Sequence, residues 1–129
     1  LPVEKVNYFF GDQQERSRAR RVLQERGDVI VSSSLDNNLE INAPGATKGE
    51  AILRLAGHLG LCREQTMGFG DGENDMTMIR TAGIGVAMGN AVEVLKAEAD
   101  YVTVTNDEDG VADAIEKLVL NVEMESRHN

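Results

Sequence analysis

A parallel, Rossmann-like α/β sheet with helices on both faces is the fold this sequence predicts for residues 43–129, preceded over residues 1–42 by the end of a smaller α+β layer. Three observations carry that expectation. From residue 47 onward, short apolar runs of strand length alternate with segments of helical period, the pattern of successive βα units. Residues 66–75 form an apolar run ending in a glycine-spaced acidic turn, with a helix-like segment directly after it; open α/β sheets place ligands at such strand ends. Finally, Ala43-Pro44-Gly45-Ala46 interrupts every regular structure, and the pattern before it differs from the pattern after it.

Composition bounds the possibilities. The chain has 129 residues, is 41% hydrophobic and carries a net charge of -9, enough apolar material for a globular core. Phosphate backbones are bound by clustered Lys and Arg, so the acidic balance and the absence of a basic cluster argue against a nucleic-acid partner. A single cysteine, Cys62, makes no internal disulfide and points to a reducing compartment. No apolar run reaches membrane-spanning length and no leader opens the sequence, so a cytoplasmic protein is expected. The first residue is Leu1 and a strand-like run starts almost at once, which reads as a piece of something longer.

In order, residues 3–10 read as a strand. Asp12 with Glu15 has the form of a capping box for a helix whose Ala19, Val22, Leu23 and Arg26 share a face. Strands follow at 29–33 and 39–42, with Tyr8, Phe9 and Phe10 expected to be buried. Thr47 and Glu50 form a second capping box, opening a helix with Ile52, Leu55, Ala56 and Leu59 as its apolar stripe. Lys48 then stands at the first helical position, where the helix dipole disfavours a cation. That placement makes Lys48 a functional candidate. Strands at 84–88 and 101–104 alternate with helices at 91–96 and from 111, and residues 121–129 read as a polar, frayed tail.

The acidic turn is the centre of the chemistry. Gly70 and Gly72 are expected to let the backbone bend so that Asp71, Asn74 and Asp75 converge. Asp71, Glu73 and Asp75 repel one another, and a hard cation with oxygen ligands, most simply Mg2+, would relieve the repulsion. A solvated surface turn is the bland alternative. A calcium loop is excluded, because Met76 stands where the loop needs Gly and Ala82 where it needs the closing Glu. His58 and His128 have no partner at metal-ligand spacing, and the methionines read as core filler.

Lys48 within residues 43–49, Gly70-Asp71-Gly72-Glu73-Asn74-Asp75, Gly85-Val86-Ala87-Met88-Gly89-Asn90-Ala91, Ala99-Asp100-Tyr101-Val102 and Asn106-Asp107-Glu108-Asp109-Gly110-Val111 together resemble the C-terminal half of haloacid dehalogenase (HAD) superfamily phosphatases, most closely the Cof-type hydrolases. The resemblance implies that residues 43–129 are part of a HAD core and residues 1–42 the end of a cap domain that closes over the site. It implies that Asp71 and Asp75 hold Mg2+, that Asn74 orients water or phosphate, and that Lys48 neutralises both a nucleophilic aspartate and the transferring phosphoryl group of a small phosphorylated metabolite.

The family's nucleophile and its phosphate-binding Ser or Thr precede the cap, and neither motif occurs here. Asp107-Glu108-Asp109 imitates the first but comes too late in the order, and Ser32, Ser33 and Ser34 read as strand-edge residues. The chain is therefore expected to be the C-terminal part of a longer phosphatase, inactive alone. Its open sheet edge should be covered by the N-terminal part of the protein or by a second chain. Two other readings stay open: the phosphorylation domain of an ion-pumping ATPase, and a noncatalytic module using the acidic loop for Mg2+ or a protein partner.

Overall fold

A computed structural model describes residues 3–120; Leu1, His128 and the tail expected over 121–129 lie outside them. The first layer holds β1 (Lys5–Phe9), α1 (Gln13–Arg26), β2 (Ile30–Ser32) and β3 (Asn38–Asn42). Its strands form an antiparallel sheet in the order β1-β3-β2, with Asn7 opposite Glu40 and Val31 opposite Ile41. Asp12 caps α1 by accepting the Gln14 N–H at 2.7 Å, and Gly27 ends the helix at φ 74, a conformation that favours glycine.

Central β3 organises this layer. Leu39 is fully buried, and the Asn38 side chain, also fully buried, spends its hydrogen bonds on the connection before it. Its Oδ1 accepts the Ser34 and Leu35 N–H groups at 3.1 and 2.9 Å, while its Nδ2 donates to Asn7 Oδ1 and Ser34 Oγ. A buried amide with all its partners satisfied fixes the turn as firmly as apolar packing would.

The aromatic cluster of β1 departs from expectation. Tyr8 and Phe9 are more than half exposed, because β1 is an edge strand paired only with β3 among the described residues. Tyr8 packs edge-on against Phe10 instead, with ring centroids 4.8 Å apart. Likewise α1 has no buried residue, and Val22 of its expected inner face is largely exposed. One helix covers the sheet here, and its grip on it is made partly by Arg16, which donates to the Asn38 carbonyl and to Ser33 Oγ.

The second layer runs α2 (Lys48–His58), β4 (Met67–Gly70), α3 (Met76–Thr81), β5 (Ile84–Ala87), α4 (Glu93–Glu98), β6 (Tyr101–Val102) and α5 (Gly110–Leu118). Its strands are parallel in the order β4-β5-β6, Met67 lying opposite Ile84 and Val86 opposite Tyr101. Ile79, Ala87, Met88, Ala91 and Leu95 form its core. Among the described residues β4 has a neighbour on one side only.

One expectation about a helix face is corrected. Of the α2 stripe only Ala56 is buried, whereas Leu55 and Leu59 are about 60% exposed (59% and 62%). The reason is the closeness of α2 to α3: the inward side of α2 is carried by Gly49 and Ala56, small residues that let the helices approach. In α5, Ala114 and Asp113 are buried while Val111 and Val119 are exposed.

Candidate functional site

Thr47 is extended and its Oγ1 accepts the Glu50 N–H at 3.2 Å, so α2 begins at Lys48. The ammonium of Lys48 crosses to α3's approach and pairs with Asp75 Oδ1. A cation at a helix N-terminus opposes the dipole; the buried Asp75 carboxylate, only 7% exposed, offsets that opposition. The lysine itself stays half exposed and free to meet a ligand.

Asp75 is the residue that shapes the acidic loop. Its Oδ2 accepts the N–H groups of Asp71 and Gly72 at 2.9 and 3.1 Å. A single 3-10 turn, Glu73–Asp75, closes when the Asp75 N–H donates to the Gly72 carbonyl at 3.0 Å. The Asp71 carbonyl accepts from Val92 at 2.9 Å, tying the loop to α4. Main chain is thereby held on both sides of Asp71, while its carboxylate remains exposed.

The two loop glycines act differently from expectation. Neither has a positive φ, and Gly72 is ordinary extended backbone at φ -111, ψ 167. Gly70 is required for proximity: a Cβ there would stand 2.4 Å from the Cβ of Asp75 and 2.9 Å from its Cγ. The missing side chain lets the end of the strand and the start of the helix touch, and that contact aims Asp75 at its three donors.

The residues fit Mg2+ in a particular way. Among the described residues no group of three His, Cys, Asp or Glu side chains is gathered for a metal, and both Asp75 oxygens already accept hydrogen bonds. Asp71 is the carboxylate left open, with half-buried Asn74 three positions on. Mg2+ is ordinarily held by one or two carboxylates, completed by waters and substrate phosphate, so a hard-oxygen set of this size suits it. In this structure Asp75 ties the loop to the lysine, and Asp71 is the open carboxylate.

Burial pushes the Asp75 carboxyl upward, but the Lys48 ammonium and the Asp71 and Gly72 N–H groups outweigh it, and the net shift is below the ordinary value of 3.8. A carboxyl depressed in the folded state contributes stability that is present above its unfolded value and lost as pH falls through its folded one. Acid titration followed by circular dichroism is thus expected to show a stability loss setting in below 3.8. Asp75→Asn should flatten that part of the curve; an unchanged curve would assign the loss to other carboxyls.

A cleft of about 490 Å³ separates the first sheet from the second layer, lined by Lys5, Arg20, Glu40 and Asn42 on one side and by Lys48 and Asn74 on the other. Lys5, Arg20, Glu40 and Asn42 are not among the sequence candidates. Arg20 reaches Glu73 with two hydrogen bonds, Nη1 to Oε1 at 2.6 Å and Nη2 to Oε2 at 3.1 Å. Glu40, 6% exposed on β3, accepts from Lys5 Nζ at 2.8 Å. Burial raises the Glu40 carboxyl, while Lys5, Ser34 and more distant Lys48 bring it below its ordinary value. The alternation Leu39-Glu40-Ile41 was the available signal for Glu40, and it reads equally well as a solvent-facing strand position.

The remaining sequence candidates fall into structural roles. Ser33 Oγ donates to the Leu35 carbonyl at 2.6 Å, closing its own turn. Asp107 and Glu108 lie in a 3-10 turn in which Glu108 accepts from Thr105, and Asp109 sits at φ 58. His58 is exposed in the last turn of α2, and Cys62 is an exposed free thiol.

Comparison with known proteins returns one consistent pattern. A family profile described as haloacid dehalogenase-like hydrolase matches residues 1–115. The 5-amino-6-(5-phospho-D-ribitylamino)uracil phosphatase YcsE of Bacillus subtilis (strain 168) is 40% identical over 116 residues, covering 90% of this chain and 47% of that protein. The solved structure of a haloacid dehalogenase-like hydrolase from B. subtilis superposes with a TM-score of 0.86 at 38% identity, over 90% of this chain and 41% of the other. A HAD subclass IIB sugar phosphatase, BT4131, superposes with a TM-score of 0.80 at 37% identity, over 91% and 44% of the two chains. The chain spans less than half the length of each of these relatives.

Proposed function

The chain belongs to the haloacid dehalogenase-like hydrolase family, and from that premise we propose that it is the lysine-and-acidic-loop part of a Mg2+-dependent phosphatase acting on small phosphate monoesters, sugar or polyol phosphates among them. The observation that carries the reading is the Lys48–Asp75 pair: a half-exposed ammonium, delivered from the tip of one helix, held by the carboxylate that also folds the loop bearing Asp71. Bound Mg2+ would supply positive charge against the phosphoryl oxygens, with Asp71 as its protein carboxylate. Lys48 adds a second positive charge beside the same oxygens, lowering the repulsion between an anionic ester and an anionic attacking carboxylate. Asn74, lining the cleft beside Lys48, orients the phosphate or the water.

The attacking aspartate belongs to the portion of the family fold that precedes the cap, and the protein carrying this chain would provide it from there. Transfer forms an acyl–phosphate bond, breaks the ester P–O bond and releases the alcohol; water then cleaves the acyl phosphate. The same N-terminal portion, or a second chain, would cover the open side of β4. The first sheet acts as the cap over the cleft, shielding the reaction from water. The relatives named as phosphatases favour that reading over the ion-pump alternative, and a cytoplasmic site of action accords with the exposed thiol of Cys62.

The test compares the whole protein with residues 1–129 alone on p-nitrophenyl phosphate, with and without Mg2+. Mg2+-dependent release by the whole protein and none by the 129-residue chain is the expected result. Turnover by the chain alone would overturn the assignment of the nucleophile, and no turnover by the whole protein would overturn the phosphatase reading.

A further inference from the structure

Most ion pairs here join near neighbours or exposed groups, such as Arg26 with Asp28 or Lys96 with Glu93, and pairs of that kind stabilise little. Arg20 with Glu73 is different. It joins α1 of the first layer to the acidic loop of the second, across 53 positions, through two parallel hydrogen bonds. Both side chains are partly buried, 23% and 36% exposed. Arg20 Nε is buried with no acceptor, so the guanidinium gives up one hydrogen bond to place its fork on Glu73. A planar fork on a carboxylate fixes direction as well as distance.

We infer that Arg20 is a positioning residue for the acidic loop, so that seating the cap and ordering the Asp71–Asp75 turn are one event. Glu73 opens the 3-10 turn that Asp75 closes, and it neighbours Asn74. With the fork in place, Glu73 is drawn toward the cap and its charge is neutralised. Without it, three carboxylates within five residues face one lysine, and their mutual repulsion loosens the turn that holds Asp75 on Lys48. The inference rests on the proposed function for its consequence in turnover, but its structural content can be read without any turnover.

The experiment is amide hydrogen exchange over residues 71–75 in the whole protein, alongside kcat and KM. Arg20→Ala is expected to speed exchange there by about tenfold, a coupling of the size found for contacting charged residues. Arg20→Lys, which keeps the charge and loses the fork, should recover part of the protection. Arg21→Ala, an exposed neighbour, should change nothing, and Arg20→Ala combined with Glu73→Ala should be no looser than Arg20→Ala alone. In turnover, Arg20→Ala is expected to lower kcat by about tenfold with a smaller change in KM. Unchanged exchange at 71–75 in Arg20→Ala, or losses that simply add in the double variant, would overturn the inference. Should the unaltered protein hydrolyse no phosphate monoester, the phosphatase reading fails, while the exchange data still decide the role of Arg20.

Discussion

Replacing Lys48 with Ala in the whole protein is expected to lower kcat roughly 10²–10³-fold, the usual consequence of removing a charge aimed at a developing anion. Among the described residues Lys48 is the only cation paired with Asp75, and it stands at the rim of the cleft with half its side chain exposed. Its loss removes a charge from the proposed phosphoryl site and also leaves a buried carboxylate without its ammonium partner. The second effect is one of stability, about 1–3 kcal/mol for a buried group left short of a partner, and urea unfolding measures it separately. Asp71→Asn provides the contrast: its carboxylate is exposed, so turnover and Mg2+ affinity should fall while stability stays within about 0.5 kcal/mol. A Lys48→Ala variant that loses stability and keeps turnover would reduce the lysine to a structural pair.

Gly70→Val is expected to be the most disruptive single change in the loop. The added Cβ would fall 2.4 Å from the Cβ of Asp75, and both atoms belong to positions fixed by main-chain hydrogen bonds. Overpacking a tight contact costs about 1–3 kcal/mol, and here the displaced group is the one that holds Lys48, so turnover should vanish with it. Two other glycines calibrate the result. At Gly72 the nearest atom to a new Cβ is the flexible Asn74 Oδ1, 3.0 Å away, and Gly72→Ala should cost less than Gly70→Val. At Gly57, inside α2, nothing lies within 4 Å, and Gly57→Ala should stabilise the helix by about 0.5–1 kcal/mol. Equal effects at all three positions in urea denaturation would show that proximity to Asp75 is not what Gly70 serves.

The comparison of sequence and structure separates what is local from what is not. Thr47 as a cap and Lys48 as the first helical residue were legible, because capping is decided within one turn of chain. The strand–loop–helix at 67–81 was legible for the same reason, as was the parallel sheet from its βα alternation. The burial of Tyr8, Phe9, Leu55 and Leu59 was misjudged, since a side chain's exposure depends on what lies opposite, and apolar character alone does not say so. The pairing of Arg20 with Glu73 was invisible: Glu73 stands out only as one of the loop's acidic groups, nothing in periodicity or spacing marks Arg20, and the two meet only after two layers have packed. Gly70 was singled out for the wrong property, its freedom to bend, when its lack of volume is what the loop uses.

The junction at Gly49 decides how firmly Lys48 is rooted. A Cβ at this second residue of α2 would lie 2.6 Å from the Thr77 carbonyl oxygen, and the Gly49 N–H donates to Thr77 Oγ1 at 3.0 Å. The root of the neighbouring lysine is therefore seated on main chain rather than on interchangeable hydrocarbon. Outward positions such as Leu55 and Leu59 are exposed, so replacing them should leave that root, and the ammonium it carries, where it is.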